Sequence, residues 1–135
     1  MNISIVIAYV SCLVVFLAID MVWLQGMNGV LYQPTIGALL AEKPNIAAIA
    51  VFYLIYIAGV MVFAVQPALQ SASWSDALVR GALLGFFCYA TYDLTNMATL
   101  KVWSLTLTLA DLAWGTVLTG TAATASFFIT RMFVR

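Results

Sequence analysis

The chain contains no histidine, so the usual imidazole proton shuttle and the commonest metal ligand are both missing. Charge is scarce as well: charged residues make up 7% of the 135, against about 25% in soluble globular proteins. Five basic and five acidic side chains cancel, which leaves no basic surface for nucleic acid or for a strongly anionic membrane patch. There are two cysteines, Cys12 and Cys88, each inside an apolar run, where packing is expected rather than a disulfide or a metal pair. Met1-Asn2-Ile3 lacks a basic opening, and no small-residue cleavage site follows the first apolar run. That run is therefore expected to stay in the protein as a membrane helix rather than leave as a signal peptide.

What is present is overwhelmingly apolar. Hydrophobic residues reach 65%, more than a soluble fold of this size could hide but well suited to a bilayer. The length suits a single domain, 1–135. Four apolar runs, each near the roughly 20 residues that a spanning helix needs, predict transmembrane helices over 3–24, 46–65, 77–97 and 105–129. The runs are continuously apolar rather than alternating, which argues against spanning strands. The expected fold is an all-α membrane protein, four transmembrane helices in a compact antiparallel bundle.

Proline and polar residues punctuate the runs. Gln66-Pro67 predicts the end of the second helix, because proline cannot continue the hydrogen-bond ladder. Ser73-Trp74-Ser75-Asp76 offers capping groups for the third, and Pro44-Asn45 opens the second. The first connection, Gln25 to Asn45, is long. Within it Pro34 could begin a short interfacial helix with Ile36, Leu39 and Leu40 on one face, or a flap over the helix ends; a structured loop is the alternative. Four spans put both termini on one side, together with Arg80, Arg131 and Arg135, opposite Lys43 and Lys101. The basic excess predicts cytoplasmic termini. Ala77, Gly81 and Gly85 repeat every four residues, and Thr116, Gly120 and Thr124 do the same on the fourth helix, with Gly115 beside them. These small residues predict close helix packing, and they are also compatible with a homo-oligomer.

An aspartate near the middle of a membrane helix costs about 2.5–3.5 kcal/mol. Antiparallel threading brings three of them, Asp20, Asp93 and Asp111, into the leaflet opposite the termini. Helical spacing sets Trp23 one turn from Asp20 and Trp114 one turn from Asp111, a repeated Asp-x-x-Trp. On the third helix Tyr89, Tyr92 and Asn96 line a face that Asp93 adjoins. Three carboxylates in a low-dielectric pocket cannot all stay charged without partners. Lys43 and Lys101 stand on the same side and could pair with them, while the tyrosines, Asn96 and the indoles could donate hydrogen bonds. Two readings stay open: a ligand or ion site, and a hydrogen-bond network that only joins helices.

The stretch Tyr89-Ala-Thr-Tyr92-Asp93-Leu-Thr95-Asn96-Met-Ala-Thr99-Leu100 resembles the small bacterial membrane proteins grouped as domain of unknown function 2177. The likeness extends through Phe16-Leu17-Ala18-Ile19-Asp20 with Trp23, Pro44-Asn45, Phe52-Tyr53, Phe63-Ala64-Val65 before Pro67-Ala68-Leu69, and Asp111 with Trp114-Gly115. One departure is Ser104 after Trp103, where the family leads us to expect proline, and this loosens the predicted start of the fourth helix. The resemblance implies a four-helix bacterial protein of the cytoplasmic membrane but carries no activity; relatives are often encoded near lipid-modifying enzymes.

Three functions compete. The first is a non-enzymatic binding or transport protein whose pocket takes a cation, a proton or the polar end of an amphiphile, with membrane lipids as surroundings and a dimer if it transports. The second is a structural or assembly subunit. The third is a lipid-modifying enzyme with paired carboxylates as acid and base, although no nucleophile–histidine pair, phosphate loop, metal motif or other cofactor signature is present.

Overall fold

The computed structural model describes residues 2–134. Its elements are helices α1 (Ile3–Met27), α2 (Gln33–Ile36), α3 (Ile46–Val60), α4 (Gln66–Ser71), α5 (Trp74–Thr99) and α6 (Leu105–Phe133). A π turn over Asn28–Tyr32 joins α1 to α2, another over Met61–Val65 joins α3 to α4, and a 3-10 turn over Gly37–Leu39 follows α2. Among the described residues no strand occurs. The chain is thus an all-α bundle of four long helical stretches. Three of them, Ile3–Leu39, Ile46–Ser71 and Leu105–Phe133, are long and apolar enough to cross a membrane. The remaining stretch, α5, has comparable length but carries Asp76, Arg80 and Asp93. It lies antiparallel along α6, which sets it at the same depth.

Polar side chains start each long stretch. Asn2 accepts from the Ser4 N–H, Asn45 from Ala48, Ser73 from Asp76 and Ser104 from Leu107, each satisfying a donor that the first turn leaves free. Ser104 therefore defines the start of α6, with its Oγ 3.0 Å from the Leu107 nitrogen. The family's proline is not needed for a firm start, because serine is itself a good cap.

Gln66-Pro67 corrects an expectation. The second helical stretch does not stop there but continues to Ser71. The π turn over Met61–Val65 immediately precedes the proline and shifts the hydrogen-bond register, so Pro67 falls in the first turn of α4, where a missing N–H does no harm. The stretch ends at Ala72, whose left-handed backbone (φ 54°) turns the chain directly into α5. The first connection likewise continues as helical turns from Met27 to Leu39, with Pro34 in the first turn of α2.

The core joins three stretches. Phe16 and Cys12 of α1, Ile57, Val60 and Val65 of the second stretch, and Leu118 and Ala122 of α6 are fully buried together. The fourth partner, α5, meets α6 through small residues. A β-carbon on Gly85 would collide with the Gly115 carbonyl and stand 2.7 Å from the Thr119 hydroxyl; one on Gly81 would stand 2.9 Å from both the Ala123 methyl and the Thr119 carbonyl. Backbones this close leave no room for side chains between them. Apolar residues cover the outside as well: Ile55, Phe63, Phe87 and Val117 are 59–67% exposed, as expected where lipid is the solvent.

The packing is uneven along the bundle. Near the termini α4 and the Met61–Val65 turn press against α5, sealed by Ala68, Ala77 and Phe127. Towards the other end α3 stands away from α5, leaving a crevice between them.

Candidate functional site

The three aspartates lie at the crevice end, all buried. Asp20 extends the buried row Ala8, Cys12, Phe16 of α1 by one further turn. Asp93 falls on the four-residue row of Ala77, Gly81 and Gly85 along α5, and Asp111 lies on the buried face of α6 that runs from Leu107 and Thr108 through Gly115 and Leu118. The row that allows α5 and α6 to touch therefore also turns Asp93 inward, where its carboxyl adjoins that of Asp111.

Asp20 and Asp111 are well partnered. Asp20 accepts from the Tyr53 hydroxyl at 2.6 Å and from the Trp114 indole at 3.2 Å. Asp111 accepts from the Tyr32 hydroxyl at 2.7 Å, and Tyr32 in turn accepts from the Trp23 indole at 2.9 Å. The Trp23 and Trp114 rings stack with centroids 4.3 Å apart, nearly parallel at 6°. The two Asp-x-x-Trp motifs are thus crossed. Each tryptophan serves the aspartate of the other motif, directly from Trp114 to Asp20 and through Tyr32 from Trp23 to Asp111.

Asp93 is different. It is fully buried, and neither carboxyl oxygen meets a hydrogen-bond donor. Its neighbour Asp111 is another acceptor, so the pair is incomplete until a donor arrives, either a proton that the two share or an N–H or O–H group from elsewhere.

Several residues expected as donors act otherwise. Tyr89 lies half-buried with its ring against the Cα of Gly115, filling the space that a side chain there would take. Tyr92 is 59% exposed and meets Trp103 edge-on at 6.0 Å. Asn96 is half-buried and bonds to none of the aspartates. Lys43 and Lys101 are exposed, and the partners of Asp20 and Asp111 are phenols and indoles rather than ammonium groups. The packing glycines Gly81, Gly85, Gly115 and Gly120 all lie in the α5–α6 contact.

Two donors escape a reading based on acids and their helical neighbours. Tyr53 comes from the second stretch, which carries no acid, and Tyr32 from the first connection. The Phe52-Tyr53 pair within the family likeness was the available signal for the former, and the aromatic two residues before Pro34 for the latter.

Besides an apolar hollow along α1 at the stacked Trp23 and Trp114, two cavities reach Asp111 or its donor Tyr32. The crevice between α3 and α5 encloses about 370 Å3 and is walled by Phe52, Tyr56, Cys88, Tyr89 and Tyr92, with Asp111 as its one acidic lining residue. Beyond the helix ends, a wider hollow of about 820 Å3 is lined by residues of α1 and the first connection, Gln25, Asn28 and Tyr32 among them. The Tyr32–Asp111 bond connects the lining of one cavity to that of the other.

An apolar helical bundle with three of its five acids drawn inward, among aromatic rings, defines an integral membrane protein. The chain belongs to the family described as Predicted membrane protein (DUF2177), which matches residues 5–128 and bears out the resemblance carried by Tyr89–Leu100. No curated protein and no solved structure matches the chain.

Proposed function

We propose that this membrane protein is a non-enzymatic binding protein, one that takes the polar end of a membrane-dissolved molecule sideways into the crevice between α3 and α5. The observation that carries the reading is Asp111 at the back of an aromatic-walled cavity, beside an Asp93 without a donor. A buried acid in a membrane helix ordinarily faces a partner or a functional cavity. Aromatic walls suit the apolar part of such a ligand, and the cavity volume falls within the usual range for small-molecule sites. The hollow beyond Tyr32 supports an extension of the same reading to transport between one leaflet and the aqueous side.

The protein is proposed to sit in a bacterial cytoplasmic membrane with both termini cytoplasmic, which would open the crevice towards the outer leaflet. Support comes from the basic excess of Arg80, Arg131 and Arg135 over Lys43 and Lys101. Alkaline phosphatase fused after Arg135 should then be inactive and a cytoplasmic reporter active; the reverse pattern turns the assignment over.

Native mass spectrometry of the purified protein tests the binding reading. The wild-type chain should retain a native amphiphile that Asp111→Asn releases. If both proteins fold and carry the same adducts, the reading fails.

A second reading has its own support: Tyr53, Trp114, Trp23 and Tyr32 tie α1, α3, α6 and the first connection together through Asp20 and Asp111. In that reading the cluster is a lock. The two readings divide between the acids, with Asp20 serving the lock and Asp93 the site.

A further inference from the structure

The crevice has a chemical bias that narrows its occupant. Among the crevice-lining residues none is basic, and Asp111 is the only carboxylic acid, so nothing there would compensate a phosphate, sulfate or carboxylate head. The chain's two lysines are both exposed at this end of the bundle rather than turned into the cavity. Behind Asp111 stands Asp93, fully buried with two oxygens that lack donors. Even with one proton shared between them, the two carboxyls keep one negative charge and oxygens free to accept, so the pair still takes positive charge together with N–H or O–H groups.

A metal ion does not meet it well. Among the described residues no three side chains of the metal-binding types converge, and Asp20 is already committed to Tyr53 and Trp114. A quaternary ammonium would suit the rings of Phe52, Tyr56, Tyr89 and Tyr92 but has no hydrogen to donate. A primary ammonium supplies charge and three donors in one compact group. The position of the crevice adds the rest: it opens between helices whose outer faces are apolar, so an occupant arriving that way carries a hydrocarbon tail.

We infer that the crevice is a binding site for an amphiphile with a primary ammonium head. The ammonium is held by Asp111 and Asp93, and the first methylenes lie between Phe52 and Tyr89. The inference rests on the binding reading above and specifies its ligand class.

Cys88 provides a native reporter, since it lines the crevice and is exposed whereas Cys12 is buried. The full chain would be placed in phosphatidylcholine nanodiscs, which contain no primary amine. Alkylation of Cys88 by N-ethylmaleimide would be followed by peptide mapping with dodecylamine, dodecyltrimethylammonium or dodecyl phosphate present. At ten times its dissociation constant, dodecylamine should slow the reaction about tenfold by occupying the site. The other two should leave the rate near its unliganded value, and Asp93→Asn should abolish the protection. Should Asp93→Asn fail to fold, Asp111→Asn serves as the second variant. Equal protection by all three compounds overturns the amine assignment while leaving the binding reading standing. No protection by any of them overturns both. Protection by dodecylamine that persists in folded Asp93→Asn and Asp111→Asn overturns the role given to the acid pair.

Discussion

The two ends of the bundle solve the same packing problem in opposite ways. Near the termini, small residues let backbones touch: Gly81 lies against Gly120 and Ala123, and the Ala8 carbonyl receives the hydroxyls of Ser11 and Ser126. At the crevice end the helices are held by long polar side chains instead, with Tyr53, Trp114 and Tyr32 reaching across to carboxyl groups. Dispersion between close backbones is insensitive to what occupies a neighbouring cavity. A hydrogen-bonded cluster is not, because each member can exchange its partner. The two modes of packing meet where Gly85 touches Gly115, beside the crevice residue Tyr89.

Substitutions can break or sharpen this contrast. The largest effect is expected from Gly85→Leu, which drives a side chain into the Gly115 backbone. It should cost about 3 kcal/mol or more and appear as loss of monodisperse protein in detergent; an unchanged thermal midpoint would remove the backbone contact from the account. Asp20→Ala comes next, since it strands the Tyr53 hydroxyl and the Trp114 indole. With interhelical hydrogen bonds in membranes averaging about 0.6 and reaching about 1.7 kcal/mol, a loss of roughly 1–3 kcal/mol is expected in denaturant unfolding. Tyr53→Phe, which removes one of those bonds, should cost about 0.6–1.7 kcal/mol by the same measurement. Smallest is Asp93→Asn, whose amide provides the donor that the acid pair lacks. Its stability should stay within about 0.5 kcal/mol of wild type or exceed it. If Asp93→Asn proved as damaging as Asp20→Ala, the division between a locking acid and a binding acid would collapse.

Much of the architecture was legible because solvent dictates it. The apolar run from Ile46 onward can only be a helix in a membrane, and the threading of such runs puts Asp20, Asp93 and Asp111 at one end before any contact is known. Pro67 misled because the rule for proline assumes a regular α-helical ladder, and the Met61–Val65 turn shifts that ladder by one residue just where the ring needs space. The donors were harder to read. Tyr89, Tyr92 and Asn96 neighbour Asp93 on its own helix, whereas the donors to the buried acids come from other segments of the bundle. The signals local to Tyr53 and Tyr32, an aromatic pair and an aromatic before Pro34, mark them as notable but do not say that they will meet Asp20 and Asp111. The crossing of the two Asp-x-x-Trp motifs is likewise a property of helix pairing, invisible in either motif alone.

The contact between Gly85 and Gly115 has a mechanical consequence. Helices joined at their backbones cannot slide or part without losing the whole interface, so α5 and α6 behave as one rigid wall, and α1 is fastened to that wall through Ser126 and Trp114. Any widening of the crevice therefore falls on α3. What ties α3 to the rest is a short set of hydroxyl bonds, Tyr53 to Asp20, Tyr56 to Thr119 and Tyr9 to the Leu54 carbonyl, so those bonds and not the backbone contact set the width of the crevice.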